Sequence, residues 1–436
     1  MIQTIDLRGR RPSSTELRAL VHRAETDVSA AIPVAADIIR DVRERGAEAL
    51  AEQADRFDGG RAPTIRIDPA AITAAVARLP REIRAALDEV IGRERAASRA
   101  QVPAAAVTTI APGAQITQRW QPVDRVGLYI PGGKAVYPSS VVMNVVPAQV
   151  AGVGSIALAS PPQADFEHGI HPLILGAAGV LGVDEVYAMG GAGAIGALAY
   201  GVPSLSLDPV DVVAGPGNVY VAAAKRVVQG DVGIDAEAGP SEVLVIADSG
   251  ADPVAVAADL VSQAEHDESA AAVLVTDSPE LADAVRAELE RQVAQTAARE
   301  RVLVALAGPQ SAIVLVDDLE TAARVSDAYA PEHLEIQTAD PGAVLDRVSH
   351  AGAIFLGPHS PVSLGDYLAG SNHILPTGGT ARFTAGISAV TFLRPQQVVQ
   401  YDADALREVA HHIRAMSDAE QLPAHGDAVD ARFRSE

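Results

Sequence analysis

Cysteine is absent from the chain, which excludes disulfides and restricts any metal site to nitrogen and oxygen ligands. Basic residues are the minority, 34 Lys and Arg against 56 Asp and Glu. The resulting formal charge of −22 repels phosphate backbones and argues against a nucleic-acid partner. Aromatic residues make up only 3% of the chain. No uninterrupted apolar run reaches the roughly 18 residues of a membrane span, and the first residues, MIQTIDLRGRRPSSTELRAL, hold no apolar block of signal-peptide length. A soluble, cytoplasmic protein without a membrane partner is expected. The chain is nonetheless 48% hydrophobic over 436 residues, enough for a large core and at least two domains.

Short apolar runs alternate with longer Ala-rich amphipathic stretches, the pattern of parallel strands covered by helices on both faces. Strands are predicted at 156–159, 184–189, 243–247, 272–276, 313–316 and 353–356, and helices at 171–182, 217–229, 253–266, 279–298 and 319–328. Residues 14–54 and 69–100 have helical spacing, broken by Asp58-Gly59-Gly60, and helical character returns after Thr391, around 403–416. Two βα blocks, about 125–240 and 241–387, read as separate sheets.

Three glycine-rich loops bear on nucleotide binding. Gly191-Ala-Gly193-Ala-Ile-Gly196 matches the dinucleotide fingerprint, with Asp208 and Asp211 about where a ribose partner is expected, but it reads equally as a tight strand-to-helix turn. Gly215-Pro216-Gly217-Asn218 opens a helix, either as an anion site or as a turn with an N-cap. Tyr129, ahead of Pro131-Gly132-Gly133, either stacks on a cofactor ring or sits in the core.

Gln263 and His266 lie three apart near a helix end and so share a face. With Asp366 and His425 they would form an N/O set suited to zinc, or to manganese or cobalt. Glu332 and His333 are adjacent, and neighbours can face one site only from a turn, which Pro331 marks. The following LEIQT is expected to point Leu334 and Ile336 inward and Glu335 and Gln337 outward. A carboxylate and an imidazole at a strand entrance can serve two proton transfers.

GLYIPGG (127–133), AGPGNVYVAAAKR (214–226), GIDAEAGPSEVLVIAD (233–248), SQAEHDE (262–268), APEHLEI (330–336), GDYLAGSNHILPT (365–377) and LPAHGDAV (422–429) resemble, in order, the histidinol dehydrogenases. The resemblance implies a zinc-dependent homodimer that oxidises L-histidinol to L-histidine through an aldehyde-level intermediate, using two NAD, in the last step of histidine biosynthesis. It implies Gln263, His266, Asp366 and His425 as zinc ligands, with His425 and Glu420 supplied across the dimer interface on a swapped tail. His333 would be the base for the alcohol proton and Glu332 would activate water. Ser241, Glu332, His373 and Glu420 would line the substrate pocket along with the metal ligands and His333, while Tyr129, Gly193 and Asn218 would contact NAD. The chain departs from the family at Gly193, where a Gln is usual, and loss of that carboxamide would loosen NAD by roughly 1 kcal/mol. A related zinc dehydrogenase acting on another polar alcohol, such as a sulfonated diol, and a regulatory protein without turnover stay open.

The expected fold is α/β, two Rossmann-like parallel-sheet domains with helical N- and C-terminal extensions. Residues 1–23 are expected as a helical extension, 24–128 with 241–387 as one domain carrying most of the metal and catalytic residues, 129–240 as the NAD-side domain, and 388–436 as the C-terminal extension.

Overall fold

The computed structural model describes residues 2–23, 28–132, 136–237 and 239–433. Gly133, the last residue of the GLYIPGG segment, lies outside them. The larger of two parallel sheets has six strands in the order Gln3–Asp6, Ala312–Leu315, Ala271–Thr276, Glu242–Ala247, His333–Gln337 and Ala353–Leu356. The smaller has five, in the order Val186–Ala188, Ser155–Ser160, Arg125–Tyr129, Val212–Ala214 and Gly233–Ile234.

The near-continuous apolar runs follow from helices on both faces. In Glu242–Ala247 every residue is buried, Val243 and Val245 in one core and Leu244 and Ile246 in the other. Each such side chain contributes about 1.5–3 kcal/mol of burial, so period-two polarity is lost and run length becomes the readable signal. The predicted strands all form, within one or two residues of their expected ends.

Several expectations are corrected. Gln3–Asp6 pairs with Ala312–Leu315, so the first 23 residues contribute a strand to the larger sheet as well as the short helix Ser14–Arg18. The helices Val28–Arg45 and Ala47–Phe57, expected with the larger sheet, bury Ile39, Val42 and Leu50 in a core shared with Tyr129, Ala157 and Ile195 of the smaller sheet's layer. The stretch after Thr391 enters a strand, Leu393–Tyr401, which with Ala114–Pro122 and Ala106–Ala111 forms an antiparallel three-stranded sheet. The helices Ala403–Ala419 and Pro423–Asp430 then form a hairpin. Glu335 and Gln337, expected in solvent, are 1% and 6% exposed, because their strand is covered on both faces. No described helix is long and apolar enough to cross a membrane.

Candidate active site

The helix Pro253–Ala264 begins with an Asp252 cap and a proline, and runs back beside the strand Glu242–Ala247. It delivers Gln263 in its last turn and His266 just beyond to the N-terminal edge of the larger sheet. Ser241 immediately precedes one strand at that edge, and Glu332 immediately precedes another. Ala330, in the left-handed region at φ 50°, ends the preceding helix and turns the chain so that Glu332 and His333 reach the same place.

The polar contacts are continuous. Gln263 Nε2 donates to Ser241 Oγ at 2.8 Å, and Ser241 Oγ donates to Glu332 Oε2 at 2.7 Å. The same Glu332 oxygen accepts from the Glu242 amide at 2.8 Å. His333 Nδ1 lies 3.0 Å from the Glu242 carbonyl and 3.5 Å from Glu332 Oε2. A carbonyl only accepts, so Nδ1 carries the hydrogen and the Nε2 lone pair is left to accept a proton. Burial lowers the His333 pKa, which keeps the ring neutral, and burial pushes Glu332 up to about 7 against the hydrogen bonds from Ser241 and Glu242.

Asp366, on the helix Val362–Tyr367, brings Oδ2 to 3.9 Å from His266 Nε2. His373 Nδ1 donates to the Asp366 carbonyl at 2.7 Å, and its Nε2 therefore accepts from Ser140 Oγ at 3.0 Å. Burial lowers the His373 pKa too. Ser140, which nothing in the sequence singles out, stands in the first turn of the helix Pro138–Ala151 that follows the strand Arg125–Tyr129. The cluster thus lies between the N-terminal edge of the larger sheet and the C-terminal edge of the smaller.

Among the described residues no group of three or more His, Cys, Asp or Glu is arranged to hold a metal. The cluster brings two such residues, His266 and Asp366, together with a carboxamide. Gln263 Oε1 is buried and has no hydrogen-bond partner. An orphaned buried carbonyl oxygen carries a penalty of about 1–3 kcal/mol, which a cation would relieve. Two zinc ligands at about 2.0–2.1 Å in tetrahedral geometry lie roughly 3.4 Å apart, so the His266–Asp366 spacing needs only a small adjustment. The chemistry of Gln263, His266 and Asp366 fits a zinc ion.

His425 and Glu420 do not join this cluster within one chain. Both are exposed on the C-terminal hairpin, beside a pocket of about 320 Å³ lined also by Ile413, Met416 and Leu422.

Tyr129 is 4% exposed, and its hydroxyl accepts from the Gly191 amide at 3.2 Å, so its ring belongs to the core. Burial pushes its pKa to about 12. Asn218 caps its helix by accepting from Tyr220 and Val221 amides. Gly193 and Gly196 face neighbouring helices: a Cβ at Gly193 would overlap Gln53 Oε1, and one at Gly196 would lie 3.1–3.3 Å from Ile39. Asp211 accepts from the Asp124 and Arg125 amides at the entrance of a strand, the wrong end for a ribose partner.

The family model for histidinol dehydrogenase matches residues 21–433. A histidinol dehydrogenase of Leifsonia xyli is 67% identical over 432 residues, covering 99% of each chain. One of Thermobifida fusca is 57% identical, covering 100% of this chain and 98% of its own. The crystal structure of histidinol dehydrogenase from Elizabethkingia anophelis superposes with a TM-score of 0.92 at 34% identity, covering 100% of this chain and 98% of that one. The chain belongs to the histidinol dehydrogenase family.

Proposed function

We propose that this protein oxidises L-histidinol to L-histidine in two successive oxidations, through an aldehyde-level intermediate, as a cytoplasmic zinc-dependent homodimer. The observation that carries the reading is the contact chain from Gln263 through Ser241 to Glu332, with His333 beside it and the Gln263 oxygen left without a partner. Gln263, His266 and Asp366 would hold the zinc, with His425 of the partner subunit as the fourth ligand, and the ion would supply a Lewis-acidic anchor for the imidazole and amine of the substrate. NAD would supply the hydride acceptor on the side of Tyr129, Gly193 and Asn218.

The chain's own groups account for the proton transfers. His333, neutral and with Nε2 unprotonated, takes the hydroxyl proton as the carbinol C–H bond gives up its hydride. The imidazolium that results is stabilised by the Glu242 carbonyl and by Glu332 at 3.5 Å. Water then adds to the aldehyde: Glu332 accepts the proton that this water loses, and the His333 imidazolium returns its proton to the former carbonyl oxygen. A neighbouring dication favours the carboxylate form of Glu332, opposing the burial that raises its pKa. The hydrate loses a second hydride and gives a second hydroxyl proton to His333, leaving the carboxylic acid. Ser241 keeps Glu332 in place, and neutral His373 and Glu420 of the partner subunit complete the pocket, the glutamate accepting hydrogens of the substrate ammonium or imidazole.

The test is to incubate zinc-loaded protein with L-histidinol and NAD and to count NADH formed per histidinol consumed. Two is the expected ratio. A ratio of one with free aldehyde would remove Glu332 from its assigned role, and no NADH at all would overturn the reading.

A further inference from the structure

The strand His333–Gln337 carries two polar side chains, Glu335 and Gln337, into the interior. Glu335 is 1% exposed and meets a second carboxyl group, Asp259, on the helix Pro253–Ala264. One amide nitrogen serves both: Gln337 Nε2 donates to Glu335 Oε2 and to Asp259 Oδ2, each at 2.9 Å. The other Glu335 oxygen accepts from the Val362 amide at 2.8 Å. Among the described residues no Arg, Lys or His is hydrogen-bonded to either carboxyl. Two carboxyl groups can hydrogen-bond each other only with a proton between them.

The three anchor points are each one structural repeat from a site residue. Asp259 lies four residues before Gln263, on the same helix face. Glu335 lies two residues after His333, on the same face of the strand. Val362 lies one helical turn before Asp366.

We propose that Asp259 and Glu335 share a single proton and act as a positioning clasp, holding the helix that bears Gln263, the strand that bears His333 and the helix that bears Asp366 in register around the active site. The clasp rests on the functional reading given above, because its purpose is the placement of those three residues. Burial, with the Asp259 charge adding to it, pushes the Glu335 pKa up to about 8, which agrees with a proton held at neutral pH. The two carboxyls are positioning residues and touch no reacting atom.

The experiment compares full-length parent, Glu335→Gln, Glu335→Leu and Asp259→Ala for zinc affinity by chelator competition, for kcat and KM with L-histidinol, and for thermal melting. Glu335→Gln keeps an acceptor for the Val362 amide and offers a permanent donor to Asp259, so its zinc affinity and KM stay within about threefold of parent. Asp259→Ala and Glu335→Leu weaken zinc binding about 10–100-fold and raise KM more than they lower kcat at saturating zinc. Asp259 is only partly buried and alanine suits a helix, so that variant keeps the test valid should Glu335→Leu fail to fold. The clasp is overturned if Asp259→Ala binds zinc as parent does, or if Glu335→Gln is as impaired as Glu335→Leu. Parent protein that binds no zinc would overturn the metal-site reading and the clasp with it; parent that binds zinc, with every variant equal to it, would overturn the clasp alone.

Discussion

Two buried side chains in direct sequence carry the proposed chemistry, and their environments set them apart. His333 is held neutral with Nε2 free to accept a proton, while Glu332 is ringed by donors that support its charged form. His333→Asn should lower the rate of the first oxidation by ~10²–10⁴-fold, read as single-turnover NADH formation, with zinc content near parent. Loss of zinc in that variant would contradict the assignment. A second buried carboxyl, Glu94, is 1% exposed behind the site and accepts from Asn372 Nδ2 at 3.1 Å and Ser98 Oγ at 3.3 Å. Burial pushes its pKa up to about 7. The folded state therefore holds a proton that the unfolded chain has released above its ordinary value of 4.5. The Glu94 contribution is fully present below that value and is lost as pH rises through about 7. The loss is on the order of 3 kcal/mol, and Glu94→Gln should flatten it in denaturant titrations at pH 5 and pH 8.

At the scale of elements, what could be read from the sequence depended on burial. Runs such as VLVIA and AVLVT announce strands because both faces are covered. The strand Leu393–Tyr401 does not: seven of its residues after Arg394 alternate no apolar face toward a core, and Val399 is 64% exposed. Gln263, His266, Glu332, His333, Asp366 and His373 were legible from motif resemblance and do converge, as far as one chain can bring them together. Alternation places Glu335 in solvent because it does so wherever a polar residue occurs, and only the tertiary structure supplies Asp259. The loop ahead of Asn218 has a similar hidden support. Lys225 is 1% exposed, its ammonium bonded to Asp235 at 2.5 Å and to the Gly215 carbonyl, and Asp235 in turn accepts from the Gly215 amide at 2.8 Å. Lys225→Met strands the Asp235 charge and should destabilise the protein by about 3–5 kcal/mol in chemical denaturation. Helix packing is equally close at Gly196, where an added Cβ meets Ile39 at 3.1 Å. Gly196→Val should cost about 1–3 kcal/mol, read as a lowered melting temperature.

At the scale of the molecule, His425 and Glu420 lie on the exposed C-terminal hairpin, apart from the other proposed site residues. Met416 is 61% and Leu422 45% exposed there, and in the proposed homodimer that hairpin reaches the other subunit's cluster. Mixing equal amounts of unfolded His333→Asn and His425→Ala chains and refolding them together should then restore about one quarter of parent activity, because half the dimers are mixed and each of those has one intact site. No recovery would place His425 in its own subunit's site, and activity in His425→Ala protein alone would place it outside any. The central claim is the convergence of a carboxamide, an imidazole and a carboxylate around an ion beside Glu332 and His333. Anomalous diffraction at the zinc edge from crystals of the zinc-loaded protein tests it most directly. One peak per subunit is expected, about 2.0–2.2 Å from a His266 nitrogen, an Asp366 oxygen and Gln263 Oε1, with His425 of the partner subunit completing the set. A peak elsewhere, or none at that cluster in fully loaded protein, would contradict it.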